Sequence, residues 1–487
     1  MCPNLKNNNK IMAFEPVIPF KSSFEFIENF ELPKVGMIRS DKFGIQETET
    51  EIFTSKNRFD FNFRIKSKSF QENIDKNIAI KNIDLVYNDT SLVLDELFIS
   101  KEDFSFDGNH SYAGHISRFW PKDFKKSSSY YFKIIIPLQK KIDYHNKLDY
   151  RIKYGIIVDI GKRLFRVKLS SFKQPDGNEK YFFTLESNEK GTLDFVAKHT
   201  FSILIAIGYI TGEFIGGKCY YFVYKSKTNT THNFFCFSEL RASMTSSYVP
   251  VFSNPYAYEY YRLPKNRALA DKVAKTLRPL SSNEFSKLCE EINSSTDFAS
   301  ILMAVIESST ASLLPMAGGY AIALEALSDL ILKEVLQENL APIKDKKLAS
   351  LLLLELKATL SRVCPDLDSD SRTPIIKKID NINQKTNMDN LKAPFELLGI
   401  ALSKSDLHII KTRNDLLHGR IPVIDKISAK NIQEENKILF YTSVSLYVLI
   451  NCLVLKRIGY NNKIVNYPKI YQNYTKIKLK GKHFRQI

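Results

Sequence analysis

The chain has 487 residues, of which 44% are apolar, and a formal net charge of +17 at pH 7. That length suits two or three domains, and the ordinary apolar content lets a sizeable core be buried. Six cysteines, Cys2, Cys219, Cys236, Cys289, Cys364 and Cys452, form no CxxC pair, which argues against a zinc ribbon or a disulfide framework and points to a reducing, cytoplasmic setting.

Residues 1–35 are polar, rich in Asn and Lys, and read as an irregular segment. No basic-then-apolar signal pattern opens the chain. A β-rich domain is expected over 36–265. β-Branched and aromatic runs at 78–87, 91–99, 130–137, 151–160, 164–169 and 180–185 predict strands. Gly161-Lys162 and Asp176-Gly177 predict hairpin connections, so the sheet is expected to be antiparallel. An apolar helix is predicted over 193–207, then a glycine-punctuated turn (Gly208, Gly212, Gly216, Gly217) and an aromatic strand, Lys218–Tyr224. Pro250, Pro255 and Pro264 interrupt a Tyr-rich transition.

From Ser282 the pattern becomes helical. Helices are predicted over 282–292, 298–309, 316–337, 346–363, 374–379, 394–402, 404–418 and 430–458. The fold class is therefore α+β: a β-rich antiparallel N-terminal domain, then an all-α domain over 282–460. The last segment, 461–487, holds seven Lys or Arg and no Asp or Glu, with Tyr467, Tyr471, Tyr474 and Phe484 interleaved. Basic groups neutralise phosphates and aromatic rings stack on bases; an ordinary basic tail or a terminal strand reads equally from the same residues. The apolar runs 201–207 and 444–455 are too short to span a bilayer, so no membrane partner is expected. The sequence pI near 9.3 suggests a polyanionic partner, nucleic acid foremost, although a Lys-rich proteome gives the same charge.

The helix predicted at 404–418 carries the most specific chemistry. Ser403 with Asp406 reads as a variant capping box, and Gly419 with Pro422 as the stop. Arg413 falls on the stripe of Ile409, Ile410, Leu416 and Leu417, so it needs an anionic partner, a carboxylate or a phosphate. Asn414 and His418 are four apart and share a face. No GxxxxGK[ST], HExxH, GxSxG or GxGxxG pattern occurs, so ATP hydrolysis, zinc proteolysis and serine hydrolysis have no support. His115, His145, His199 and His232 show no ligand spacing, and no metal or other cofactor is expected.

Arg413, a polar residue, three spacers and His418 before a glycine cap resemble the Arg-x4-6-His motif of HEPN-domain ribonucleases. The flanking Ile409-Ile410-Lys411-Thr412 and Gly419-Arg420 resemble it too. The helix at 193–207, its Gly-Tyr-Ile-Thr-Gly turn and the strand after it resemble the end of the N-terminal domain in Apea-like HEPN proteins of bacterial defence. The resemblance implies a metal-independent endoribonuclease with an anti-phage, abortive-infection role. RNA supplies its own nucleophile, the 2′-OH, so cleavage needs proton transfer and charge stabilisation and leaves 2′,3′-cyclic phosphate and 5′-OH ends.

Under that resemblance Arg413 and His418 are catalytic, with Asn414 orienting the His. Glu325, within Ala321-Ile322-Ala323-Leu324-Glu325-Ala326-Leu327, matches a second family element that pairs with Arg413 or positions His418. A structural ion pair is the plainer reading of the same residues. Lys411, Arg420 and Asp415 flank the motif and are assigned to RNA. The implied partners are RNA (tRNA or mRNA), a second copy in a homodimer or larger homo-oligomer that completes the site, and a phage-derived trigger acting through the N-terminal domain. A non-catalytic RNA-binding or scaffold protein is the alternative. The toxin or antitoxin half of a two-gene system is weaker, because such chains are shorter.

Overall fold

The computed structural model describes residues 20–40, 45–55, 58–66, 82–87, 90–104, 109–142, 147–148, 155–174, 176–241, 244–245, 278–334, 341–383, 386–424 and 431–487. The chain divides into two compact units, Met1–Ala299 and Ser300–Ile487.

The first unit opens with α1 (Lys21–Phe30) and continues with β1 (Lys34–Ser40), β2 (Ile45–Ser55), β3 (Arg58–Lys66), β4 (Ile83–Tyr87), β5 (Thr90–Phe104), β6 (Asn109–Pro121), β7 (Tyr131–Leu138), β8 (Ile156–Ile160), β9 (Arg163–Lys173) and β10 (Glu179–Ser187). Then come α2 (Leu193–Thr211), β11 (Glu213–Phe214), β12 (Lys218–Tyr224), β13 (Phe234–Glu239), β14 (Met244–Thr245) and α3 (Ser282–Ser294). Twelve strands form one antiparallel sheet in the order β3-β2-β1-β4-β5-β6-β13-β12-β7-β10-β9-β8. Because β3 also pairs with β6, β1 to β6 close into a ring, and the other six strands leave it as an open extension. Strand β6 belongs to both parts. Ile116 stands opposite Phe59 of β3, while Phe119 stands opposite Phe237 of β13. Closure removes the exposed edges that an open sheet would offer to other chains.

Helix α1 lies in the segment read as irregular. Its Phe24, Ile27 and Phe30 recur at a spacing of three and are all buried, the one-sided pattern that an aromatic core selects. Phe30 makes ring contacts with Phe59, Tyr87, Phe119 and Phe235. The Tyr87 hydroxyl donates to the carbonyls of Phe30 and Leu32, which ends the helix against β4.

The predicted strands at 91–99, 130–137, 164–169 and 180–185 correspond to β5, β7, β9 and β10; β7 is shifted by one residue and the other three are longer in the structure. Residues 78–81 and 151–154 of two further expectations lie outside the described residues, as does the proline-rich transition. Helix α2 extends four residues past the expected 207 and contains Gly208. The glycine is a packing requirement there: a Cβ would stand 3.0 Å from the Phe214 Cα. On α3, the Ser286 hydroxyl accepts from the Asp159 N–H of β8 at 2.9 Å.

The helices of the second unit follow α4 (Thr296–Ser308), within which the division falls. They are α5 (Leu313–Glu334), α6 (Lys346–Val363), α7 (Ser369–Asp380), α8 (Asn387–Leu397), α9 (Lys404–Leu417) and α10 (Ile432–Arg457). The chain ends with β15 (Lys463–Val465), α11 (Tyr467–Ile470), α12 (Gln472–Thr475) and β16 (Phe484–Gln486). Helices α5, α8, α9 and α10 pack as a bundle. Helix α10 is buried on all sides from Tyr441 to Leu455, as befits a helix without a polar face.

Two helix starts differ from expectation for one reason. The expected starts at 374 and 394 fall on prolines, but Asp368 and Thr386 cap the helices earlier, leaving Pro374 and Pro394 inside. The helix expected to reach 402 stops at Leu397, where Gly399 takes a left-handed φ of +68°. The helices α6 and α7 pack on each other and bury only Ala349. Their outer faces leave Leu348, Leu351, Leu354, Val363 and Ile382 beside them more than half exposed.

The expectation that apolar runs are too short for a bilayer needs revision. By length and composition alone, α2, α5 and α10 are long and apolar enough to cross one. The most apolar window of α10 is 94% buried.

Candidate functional site

The site is built on α9. Its start is a capping box: the Ser403 hydroxyl accepts from the Asp406 N–H, and the Asp406 carboxylate accepts from the Ser403 N–H. Its end is a Schellman turn, with Arg420 N–H donating to Asp415 O at 2.7 Å and Gly419 N–H to Leu416 O at 3.0 Å. Gly419 sits at φ +67° with open space where a Cβ would be, so only backbone conformation demands glycine there. Both ends are locally encoded, which fixes His418 as the last residue before the chain reverses. The following segment runs back along the helix, because His408 Nε2 lies 3.2 Å from Val423 O and Ile424 is buried.

Arg413 and His418 leave the helix in different directions. Five residues at about 100° each put them about 140° apart. Arg413 points inward and is 2% exposed. One of its terminal nitrogens donates to Glu325 Oε2 of α5 at 2.9 Å, while its Nε has no hydrogen-bond partner among the described residues. The partner demanded by the sequence is therefore a carboxylate of the same unit. Glu325 keeps a third of its side chain in solvent, so water screens one end of the ion pair.

His418 is exposed, and so are Lys411, Asn414 and Arg420; Asp415 is half-buried. Lys411, Asn414 and His418 follow at spacings of three and four, so they form one outward stripe on α9. The structure thus brings together Arg413 with Glu325, and separately aligns Lys411, Asn414 and His418. Arg413 and His418 do not meet within one chain. Chemically, the stripe offers a titratable imidazole, an amide and a cation in water, while Arg413 anchors α9 to α5 beneath them.

Sequence reasoning missed Arg485. From β16 it donates to Asp406 Oδ1 at 3.0 Å and to the Ala401 carbonyl at 2.8 Å. Burial lowers its proton affinity, but the Asp406 carboxylate and the nearby Cys452 outweigh that, and its pKa stands above the usual value. The C-terminal segment is therefore tied to the capping box of α9. A contact between residues 79 apart leaves no local mark in the sequence. Its aromatics are divided in role: Tyr467 is buried, and Tyr471 and Tyr474 set their edges against Phe440 of α10.

A cavity of about 530 Å³ lies in the first unit, lined among others by Phe26, Phe30, Lys34, Asp123, His232 and Phe235. His232 makes edge contacts with Phe26 and Phe222, and desolvation with the nearby Lys133 holds its pKa below the usual value, favouring the neutral ring. Among the described residues, no three His, Cys, Asp or Glu side chains stand close enough to hold a metal ion. Comparison with models of known families, with curated proteins and with solved structures finds no match.

Proposed function

We propose that the protein is a metal-independent endoribonuclease of the HEPN type, working as a homodimer or larger homo-oligomer, with the first unit in control. The observation that supports this most is the exposed stripe of Lys411, Asn414 and His418 at a locally fixed helix end, backed by the buried Arg413–Glu325 pair. In this reading His418 moves the proton on or off the reacting oxygens. Lys411 and Arg420, exposed beside it, balance the charge that builds on the phosphate. Asn414, one turn earlier, orients the imidazole or the phosphate.

Arg413 reaches a phosphate only by exchanging Glu325 for it; otherwise it acts as a positioning residue through α9. A second copy brings its own imidazole and guanidinium to the same cleft, so the histidine and the arginine that act on one phosphate come from different chains. The first unit's cavity gives a trigger a place to bind, and the biological setting is anti-phage defence by cleavage of tRNA or mRNA in the cytoplasm.

The burial of Arg413 favours one competing reading, in which the pair is purely structural and the protein binds RNA without cutting it. RNA cleavage in EDTA separates the two. Wild type should yield 2′,3′-cyclic phosphate and 5′-OH ends, and His418→Ala should yield none. His418 is exposed, so its removal should leave stability within about 0.5 kcal/mol. Equal cleavage by wild type and His418→Ala would defeat the proposal; salt-sensitive binding without products from wild type would select the scaffold reading.

A further inference from the structure

The segment between α12 and β16 alternates in burial. Lys476, Lys478, Lys480 and Lys482 are exposed, whereas Ile477 is buried and Leu479 half-buried. Ile477 and Leu479 turn inward between Lys476, Lys478 and Lys480, which leaves these three ammonium groups towards solvent; Lys476 takes a left-handed φ of +64° and Gly481 one of +118°, so the chain turns before Lys482. None of the four has an ion pair or side-chain hydrogen bond among the described residues. Four unpaired cations in a row repel one another, so the arrangement favours an extended polyanion.

The row is held in place. The Lys469 ammonium donates to Gln472 Oε1 at 2.9 Å and also contacts the Leu479 carbonyl. Arg485 fastens the far end to the capping box of α9. Beside it lies a cavity of about 260 Å³, lined among others by Ser405, Tyr441, Asn466, Lys480, Phe484 and Arg485. Phe484 is only half-buried, so part of its ring remains open to a partner.

We propose that Lys476, Lys478, Lys480 and Lys482 form a backbone track for single-stranded RNA, and that the adjoining cavity takes one base against Phe484. Four exposed cations within seven residues suit successive phosphates of one strand, and a ring beside them is what base stacking requires. The cavity touches the first turn of α9, and His418 ends that helix. Fourteen helical residues separate them by about 21 Å. The track therefore anchors the strand several nucleotides away from the bond at His418. This assignment rests on the RNA-directed reading of the motif.

The test is binding of a fluorescent 12-nucleotide RNA to full-length protein carrying His418→Ala, which removes cleavage from the readout. Adding Lys478→Gln, Lys480→Gln and Lys482→Gln should weaken binding at least tenfold and flatten the slope of log K against log salt by about 2. Phe484→Ala should weaken binding about tenfold with the slope unchanged, and Phe484→Tyr should restore it. The lysines are exposed, so the triple variant should keep its fold by circular dichroism. Unchanged affinity and slope in the triple variant overturn the track. So does polyglutamate that competes as well as RNA at equal charge. Cleavage of RNA by wild type with lysine-independent binding sinks the track alone; lysine-dependent binding without cleavage sinks the nuclease reading alone.

Discussion

Arg413 donates one N–H to Glu325 and keeps its Nε without a partner among the described residues. A buried guanidinium that is half satisfied costs desolvation that one bond recovers only in part. Removing the carboxylate alone should therefore be worse than removing the cation. Glu325→Ala strands a 2%-exposed charge and should destabilise by about 1–3 kcal/mol, less than for a dry pair because water reaches Glu325. Arg413→Met deletes the charge and keeps most of the apolar stem, so it should cost less. Urea titration of both variants checks the order. A larger loss for Arg413→Met would mean that the pair stabilises the bundle outright. These residues were the most legible in the chain. The cap at Ser403, the stop at Gly419 and the need of Arg413 for an anion all follow from neighbours within a few positions. That the anion is Glu325 needed the packing of two helices 88 residues apart.

At the scale of elements, β7 shows what pattern reading catches and what it misses. Its run of β-branched residues predicts a strand, and in the structure Ile134, Ile135 and Ile136 are all fully buried, so both faces are covered. Lys133 is fully buried among them, with its ammonium 3.3 Å from the Ser23 hydroxyl and 4.5 Å from the centre of the Phe20 ring. Both partners come from the N-terminal stretch, which lacked strand or helix signals strong enough to place it. Desolvation pushes the Lys133 pKa down from 10.5 to about 8, with Glu186 opposing. Below about 8 the lysine is charged in the folded and the unfolded chain, and the burial cost is complete. Between about 8 and 10.5 the unfolded chain holds a proton that the folded chain does not, so stability rises with pH. Lys133→Met should therefore stabilise the protein by about 2–3 kcal/mol at pH 7. That advantage should shrink towards zero by pH 10.5. Denaturant melts of both proteins at pH 7 and pH 10 give the difference directly, with other titrating groups cancelling. A gain that is equal at both pH values would show that the ammonium is already well solvated.

At the scale of the whole molecule, the fold class was legible because antiparallel strands and amphipathic helices each leave a local period. The closure of the β1–β6 ring was not, since it depends on β6 pairing with β3, β5 and β13 at once. The proposed site asks for a second copy on comparable grounds. One chain presents His418 outward and turns Arg413 inward, so the pair cannot act on one phosphate from a single copy without rearrangement. In the proposed dimer, two copies about a two-fold axis bring two imidazoles to one cleft, and a guanidinium joins them where Arg413 exchanges Glu325 for a phosphate.

Mixing inactive variants tests that arrangement. Arg413→Ala and His418→Ala should each abolish cleavage as homodimers. Co-expressed, they form mixed dimers in about half of the population if subunits pair at random. A mixed dimer retains one arginine and one histidine in the shared cleft, so cleavage should return to part of the wild-type rate. If each chain worked alone, every chain in the mixture would lack one group, and no cleavage would return. Recovery therefore demands a shared site, whereas its absence, with mixed dimers shown by differently tagged subunits, would confine the chemistry to one chain.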